Sequence, residues 1–330
     1  QTCSSLPVQQ VPFLYVLLDG FDLGVGILSL TTSNEERRSI LMTSLGNVWD
    51  ANETWLVLMG GSLFGAFPLA YATILNALYL PAVVMVVGLI LRAVSFEFRE
   101  NADNKLVWNI TFGVGSFLAA LGQGFALGSV FEGITVDADG HFAGGIFDWL
   151  TWRSVVVALT LIQAYVLVGS TYLILKTTGE LQATHYKTAK LATWTTLAGA
   201  VFITVTTPVF SEQLRERLLE PPLLYIFGVI PVLGLVLVGL LLRSLYRGEE
   251  NTPIIWTFML FALSFVGLGF VIFPQIIPPS VTIYEAAAAP SSLVFMLTFI
   301  GFLIPILLFY NIYNYIVFRG KIADENYGEI

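Results

Sequence analysis

The sequence predicts an all-α, polytopic membrane protein with about nine transmembrane helices. Of its 330 residues, 56% are hydrophobic and only 12% are charged, whereas soluble domains carry roughly 25% charged residues. Apolar segments of about 20 residues recur along the whole length, and this is the length that an α-helix needs to cross a bilayer. Because no long polar insertion interrupts them, we expect a single integral membrane domain over residues 1–330.

Nine segments fit this pattern, and we expect two four-helix bundles plus one additional helix. The first bundle corresponds to about residues 11–131, the second to about 152–273, and the final helix to 292–318. The connectors 132–151 and 211–222 are acidic and rich in turn-forming residues. The predicted spans are 11–30, 46–71, 74–96, 108–131, 152–175, 186–207, 223–245, 254–273 and 292–318.

The basic residues predict how the chain is oriented in the membrane. With nine spans, eleven of the 15 Lys and Arg residues fall on one side, three fall on the other, and Arg92 lies within a span. Because cytoplasmic connectors carry the excess of basic residues, the N-terminus is predicted outside and the C-terminus in the cytoplasm. Tyr310, Tyr313 and Tyr315 would then form an aromatic belt at the cytoplasmic interface.

The segment LLDGFDLGVGILSL, residues 17–30, combines two carboxylates with glycines in an apolar run. Asp19 and Asp22 are three residues apart, so on a helix they share one face. Gly20 and Gly24 form a pair of small residues that permits close approach of a second helix. An Asp-Gly turn between two short helices is the alternative, but the apolar residues on both sides favour one continuous helix.

Charged residues of the first three spans are expected at a similar depth, in the cytoplasmic half of the membrane. Asp22 lies eight residues, or about 12 Å, before the end of the first span, with Asp19 on the same face. Asp50 and Glu53 occupy the first two turns of the second span, and Arg92 lies about one turn from the end of the third. Charged groups at such depth usually face protein or water and serve a function.

Two interpretations of this cluster remain open. The functional one is an entry path for protons or cations, or a site for a polar headgroup. The structural one is a network of ion pairs, in which Asp50 and Glu53 are also stabilised near a helix N-terminus. Trp49 and Trp55 flank these acids, as tryptophan commonly does at a membrane interface; a role in electron transfer or quinone stacking has less support.

The sequence offers few ligands for a cofactor. A haem in a helical bundle usually takes histidine, and the only two histidines, His141 and His185, lie in predicted connectors. The single cysteine, Cys3, excludes a cluster held by several thiolates. P-loop, dinucleotide-binding and nucleophile-elbow motifs are absent. We therefore expect this chain alone to bind no haem and no metal, and to have no nucleic-acid partner.

Several motifs resemble those of subunit II of the cytochrome bd-type quinol oxidases, including the cyanide-insensitive branch. DGFDLGVG together with NVWDANETW is the most specific combination. The first residues, QTCSSLPVQQ, depart from the apolar run that the family carries at this place. The matching segments, in order, are LLDGFDLGVG, ERRSILMTSLGNVWDANETWLVLMGGSLFGAFP, LRAVSFEFR, GSTYLILKTTGEL and FPQIIPPS.

The resemblance implies a complex that oxidises quinol, reduces O2 to water and generates proton-motive force with protons taken from the cytoplasm. It implies that haems b and d belong to a partner, the haem-bearing subunit I, whose assembly this chain supports. Membrane lipid and quinol would be further partners, together with small single-helix subunits and a structural quinone in some members. The expected location is the bacterial or archaeal plasma membrane.

The resemblance also implies which residues line a proton path. Asp22, Trp49, Asp50 and Arg92 match residues of that path. Asp19 belongs to the same motif as Asp22, and Glu53 is included because of its position beside Asp50. A secondary transporter or ion channel that uses these acids for coupling is the alternative function. It would need a midplane site and inverted repeats with broken helices, whereas these acids lie toward one side. The six predicted residues are Asp19, Asp22, Trp49, Asp50, Glu53 and Arg92.

Overall fold

The computed structural model describes residues 6–46, 48–210, 212–221 and 223–322; Cys3 lies outside these ranges. The described chain consists of α-helices and one short β-hairpin. The elements are α1 Leu6–Thr31, α2 Glu35–Thr43, α3 Trp49–Ala66, α4 Pro68–Ala77, α5 Tyr79–Glu100, α6 Lys105–Glu132, α7 Trp152–Lys176, α8 Gly179–Phe210, α9 Glu212–Leu219, α10 Leu223–Arg247, α11 Thr252–Ile272, β1 Gln275–Ile277, β2 Val281–Thr282 and α12 Pro290–Val317.

Within the described ranges, nine long helices run in alternating directions between two ends of the molecule. Eight of them are long and apolar enough to cross a membrane. The ninth is α3, whose 18 residues include Asp50 and Glu53. We call the end that carries α2 the α2 end, and the opposite end, which carries β1 and β2, the hairpin end. The predicted all-α membrane fold is confirmed.

The predicted second span, 46–71, is divided into two helices. A residue that precedes proline is disfavoured in the α conformation, and Phe67, which precedes Pro68, has φ −137° and ψ 65°. α4 then packs against β1, and the Thr73 hydroxyl donates to the Gly140 carbonyl at 2.8 Å. α4 therefore caps the hairpin end, and the third span consists of α5 alone.

The hairpin end is closed by β1 and β2, which pair antiparallel and which the sequence analysis did not predict. The Ile134 N–H donates to the Pro278 carbonyl at 2.9 Å, and the Ala288 N–H donates to the Ala66 carbonyl at 2.8 Å. The first bond joins the segment after α6 to the hairpin, and the second joins the segment before α12 to the end of α3. The long connectors thus form one packed layer at this end.

α1 is the central helix, in contact with α3, α6 and α7. A Cβ atom added to Gly24 would lie 1.8 Å from the Tyr165 carbonyl oxygen, and one added to Gly169 would lie 2.7 Å from the Gly24 carbonyl carbon. Glycine at these positions lets the two backbones touch. The expectation of one continuous helix with a close contact through its glycines is confirmed.

α2 is anchored by polar contacts at the α2 end. Asn34 caps the helix by accepting two N–H groups of its first turn. The carboxylate of Glu35 lies 2.6 Å from Arg99 Nη2 and accepts from the Asn109 amide at 2.7 Å. Partial burial alone would raise the pKa of Glu35, but Arg99 and hydrogen bonds from Arg99, Arg38 and Asn109 lower it. The Glu35 carboxylate therefore stays ionised and fixes α2 against α5 and α6.

The outward faces of several helices are apolar and exposed. On α12, Phe302 is 73% exposed and Phe309 is 71% exposed. Surfaces of this kind suit contact with lipid or with another membrane subunit.

The division into two halves stays a prediction, since α7 packs on α1 and α6 as well as on α8.

Replacing Gly24 with alanine is expected to lower the stability of the folded chain. The added Cβ would meet the Tyr165 backbone oxygen, which cannot rotate away as a side chain could, and overpacking of this kind costs about 1–3 kcal/mol or more. Thermal unfolding of the purified protein in detergent should show a lower midpoint. Gly239→Ala on α10 is the control, because nothing lies within 4 Å of its Cβ position. Equal midpoints for both variants would contradict the prediction.

Candidate functional site

The candidate site centres on Arg92, a fully buried side chain on α5. Its Nη1 atom lies 2.7 Å from Asp19 Oδ1. Its Nη2 atom lies 3.2 Å from Glu53 Oε1 and 3.8 Å from Asp22 Oδ2. One guanidinium group thus joins α5 to two carboxylates of α1 and one of α3.

Burial differs sharply among the three carboxylates. Asp19 and Asp22 are 1% and 0% exposed, whereas the Glu53 side chain is 23% exposed. Buried charges are costly unless they are paired, and here three carboxylates share one cation. Of the three carboxylates, Glu53 is therefore the one that reaches the surface of the chain.

A first hydrogen-bond chain reaches the cluster from α12. The Tyr315 hydroxyl donates to Asn52 Oδ1 at 2.9 Å. The Asn52 amide donates in turn to Asp22 Oδ2 at 2.8 Å and to the Leu18 carbonyl at 3.3 Å. The final helix is thereby connected through α3 to the central helix α1.

A second hydrogen-bond chain runs from α7 through α6 to Tyr15 on α1. The Tyr165 hydroxyl donates to Gln123 Oε1 at 2.6 Å, and Gln123 Nε2 donates to the Tyr15 oxygen at 2.6 Å. Tyr15 also interacts with Asp19, one turn along α1. Tyr15 and Tyr165 are both buried. The polar network therefore extends from α12 to α7 through the centre of the protein.

The structure places two of the predicted site residues outside the cluster. Asp50 is exposed at the start of α3; it interacts with Glu53 and makes no ion pair with Arg92. Trp49 stacks on Phe96 with ring centroids 5.0 Å apart and an angle of 6° between the planes, so its ring packs on α5 rather than on the acids. Of the four acids expected at a similar depth to Arg92, three lie within 4 Å of its guanidinium group and Asp50 does not.

Sequence reasoning missed five residues of the network or gave them another role. Tyr315 was expected in an interface belt, but its hydroxyl turns inward to Asn52, whereas Tyr310 and Tyr313 are 47% and 57% exposed. Asn52 had a usable signal, because an amide within a span that already carries two acids needs a partner. Gln123 is likewise an amide within an apolar span, on α6. Tyr15 and Tyr165 carried none, since a tyrosine in an apolar run also suits simple packing.

The histidines differ from expectation in one respect. His141 lies in the segment between α6 and α7, as predicted, but His185 lies inside α8, near the α2 end, and is 3% exposed. Because the two lie at opposite ends of the molecule, they cannot ligate one haem together. Among the described residues, no group of three or more His, Cys, Asp or Glu side chains is arranged to hold a metal ion.

Comparison with known proteins identifies the family. A family model described as cytochrome bd terminal oxidase subunit II matches residues 8–318. The chain belongs to this family. It is 26% identical to the Escherichia coli K12 cytochrome bd-I ubiquinol oxidase subunit 2, over 94% of this chain and 92% of that protein. It is 28% identical to the Bacillus subtilis 168 cytochrome bd ubiquinol oxidase subunit 2, over 94% and 93%.

A solved structure shares the fold of this subunit II chain. A chain of the Geobacillus thermodenitrificans bd oxidase structure superimposes with a TM-score of 0.80, covering 96% of this chain and 99% of that one at 15% sequence identity. The resemblance to the bd oxidase family that the motifs indicated is therefore confirmed over nearly the whole chain. The likeness in structure agrees with the all-α membrane fold of this family member.

Removing the Arg92 charge should strongly destabilise this subunit II chain. Arg92→Leu would leave three carboxylates without their cation, and breaking a buried pair in this way costs about 3–5 kcal/mol. The matched control is Arg37→Leu, because the Arg37–Glu180 pair is 40% and 87% exposed and an exposed pair contributes only about 0–1 kcal/mol. Thermal unfolding and the yield of folded protein measure both effects.

A double variant separates lost charge from lost packing. Arg92→Leu combined with Asp19→Asn removes one uncompensated carboxylate, so part of the stability lost in Arg92→Leu should return. No recovery in the double variant would mean that packing of the arginine side chain, rather than its charge, stabilises the centre of the bundle.

Proposed function

We propose that this chain is the haem-free subunit II of a quinol:O2 oxidoreductase, in which it pairs with a haem-bearing subunit I. Its family and the names of its relatives, which are subunits of ubiquinol oxidases, support this assignment. The chain supports assembly of subunit I through its exposed apolar helices, and small single-helix subunits, lipid and quinol are further partners. It lies in the plasma membrane with its N-terminus outside and its C-terminus in the cytoplasm.

Within that complex, the Arg92 cluster forms part of a proton path from the cytoplasm to the site of O2 reduction. The observation that carries this role is the excess of acid, with three carboxylates around one buried guanidinium. Two excess negative charges in a medium of low dielectric favour proton uptake. Glu53 is partly exposed and adjoins the exposed Asp50, so the cluster is connected to the α2 end, which is the cytoplasmic end in the predicted orientation.

Haems b and d belong to subunit I in this proposal. The donor set of this chain does not suit a haem held between two histidines, since His141 and His185 lie at opposite ends of the molecule. A structural quinone bound by this chain would be a binding partner without a redox role. The transporter interpretation is less well supported, because the family match covers residues 8–318 and the charged cluster lies toward one end.

Asp22→Asn and Asp50→Asn are expected to lower quinol-dependent O2 consumption by the purified complex. In Asp50→Asn the exposed entry carboxylate is lost, so turnover should fall while haem content stays normal. In Asp22→Asn the buried cluster loses an acid that Asn52 and Arg92 contact, so either turnover falls or the complex is isolated with less haem. O2-electrode rates and reduced-minus-oxidised haem spectra measure both quantities.

Asp103→Asn provides the control for these substitutions. Asp103 lies in the short connector between α5 and α6 and is exposed at the same end of the molecule, so its variant should keep wild-type rates and haem content. Wild-type turnover together with full haem in both Asp22→Asn and Asp50→Asn would refute the proton path proposed for these residues.

A further inference from the structure

Hydrogen-bond donors are shared unevenly among the three carboxylates of the cluster. Asp19 has the shortest contact with Arg92, at 2.7 Å, and Asp22 receives the Asn52 amide at 2.8 Å. Glu53 has only Arg92 Nη2, at 3.2 Å, and no hydrogen-bond donor in the described residues reaches its Oε1 atom with suitable geometry. The three acids therefore differ in how strongly their ionised forms are stabilised.

The hydrogen-bond chain from α7 ends at Tyr15 on α1. Tyr165 donates its O–H to Gln123, and Gln123 donates its N–H to the Tyr15 oxygen. Asp19 Oδ2 has no hydrogen-bond partner among the described residues, so the chain does not continue to this carboxylate. Asp19 is held by its 2.7 Å contact with Arg92.

Asp22 and Glu53 then compete for the same guanidinium nitrogen. Nη2 of Arg92 lies 3.8 Å from Asp22 and 3.2 Å from Glu53, and two carboxylates that share one site do not both ionise freely. Asp22 is fully buried and is bonded to Asn52. Glu53 is 23% exposed and adjoins Asp50 at the surface. Proton exchange with water is therefore open to Glu53 and closed to Asp22.

We propose that Glu53 is the residue through which this site exchanges its proton. This inference rests on the proposed function, since it names the carboxyl that moves the proton along that path. Charged and titratable groups face Glu53 from α1, α3, α5 and, through Asn52, α12. They are Asp19, Asp22, Asp50, Arg92 and Tyr315.

The transfer needs no electron and no co-reactant besides water. A hydronium ion at the α2 end loses a proton, which forms an O–H bond with a Glu53 carboxylate oxygen and leaves a water molecule. That O–H bond then breaks as the proton passes to a second water molecule, which becomes hydronium, and the carboxylate is restored. Arg92 stabilises the ionised form between the two steps, and Asp19 keeps Arg92 in place.

The test uses the intact complex in wild-type form and as Glu53→Gln, Glu53→Asp and Glu97→Gln variants. Glu53→Gln should keep its haem content but lose turnover at least about tenfold, because the amide can accept from Arg92 but cannot carry a proton. Glu53→Asp keeps a carboxyl group, so it should recover part of the turnover with an altered pH profile. Glu97→Gln, on the exposed side of α5, should match the wild type.

Infrared difference spectra between two pH values test the carboxyl group of Glu53 directly. The wild-type complex should show a C=O band of a protonated carboxyl group that Glu53→Gln removes and Glu97→Gln retains. A band of the same size in Glu53→Gln would overturn the role of Glu53.

Wild-type turnover in Glu53→Gln would overturn the role of Glu53. If Asp50→Asn and Asp22→Asn were slowed in the same preparations, the proposed proton path would stand without Glu53, whereas wild-type rates in all three would overturn both. If the Glu53→Gln complex does not assemble, the Glu53→Asp complex provides the test. An altered pH profile of its turnover supports the proposal, and a wild-type profile overturns it.

Discussion

The structure depends on one buried cation. Arg92 lies at the centre of a helical bundle with no exposed surface, and such a charge persists only where anions meet it directly. Asp19 and Asp22 meet it from α1, and Glu53 meets it from α3. This requirement fixes the depth and the rotation of three helices at once. The close contact of α1 with α7 through Gly24 then ties the second half of the chain to the same centre.

At the α2 end, other residues cover the Arg92 cluster, but the cluster keeps a connection to the surface. The carboxylate of Glu35 joins α2 to Arg99 on α5, and the Tyr172 hydroxyl donates to the Ser44 carbonyl at 2.7 Å, so α7 holds the turn that follows α2. α3 begins next to this cover, and its first two turns carry the exposed Asp50 and the partly exposed Glu53. The surface is therefore connected to Arg92 along α3, whereas the two carboxylates of α1 are buried.

The sequence was sufficient for the long helices and for most of the charged residues at Arg92, and insufficient for the uncharged polar ones. Asp19, Asp22 and Arg92 stand out because a charge within an apolar span has few explanations. Gln123 and Tyr165 are 42 residues apart, and their contact depends on how α6 packs against α7, which periodicity does not specify. The break at Pro68 was readable, but the apolar residues on both sides favoured one long span.

A buried ion pair is weak evidence for stability, because apolar side chains of similar volume often do as well or better. Neutralising Arg92 would also require only one carboxylate, and Asp19 at 2.7 Å already supplies it. Asp22 and Glu53 go beyond that need, and an additional acid beside a buried cation costs free energy unless it takes up a proton or reaches water. Under the proposed function this excess has a use, because a group that gives and takes protons must be neither permanently ionised nor permanently neutral.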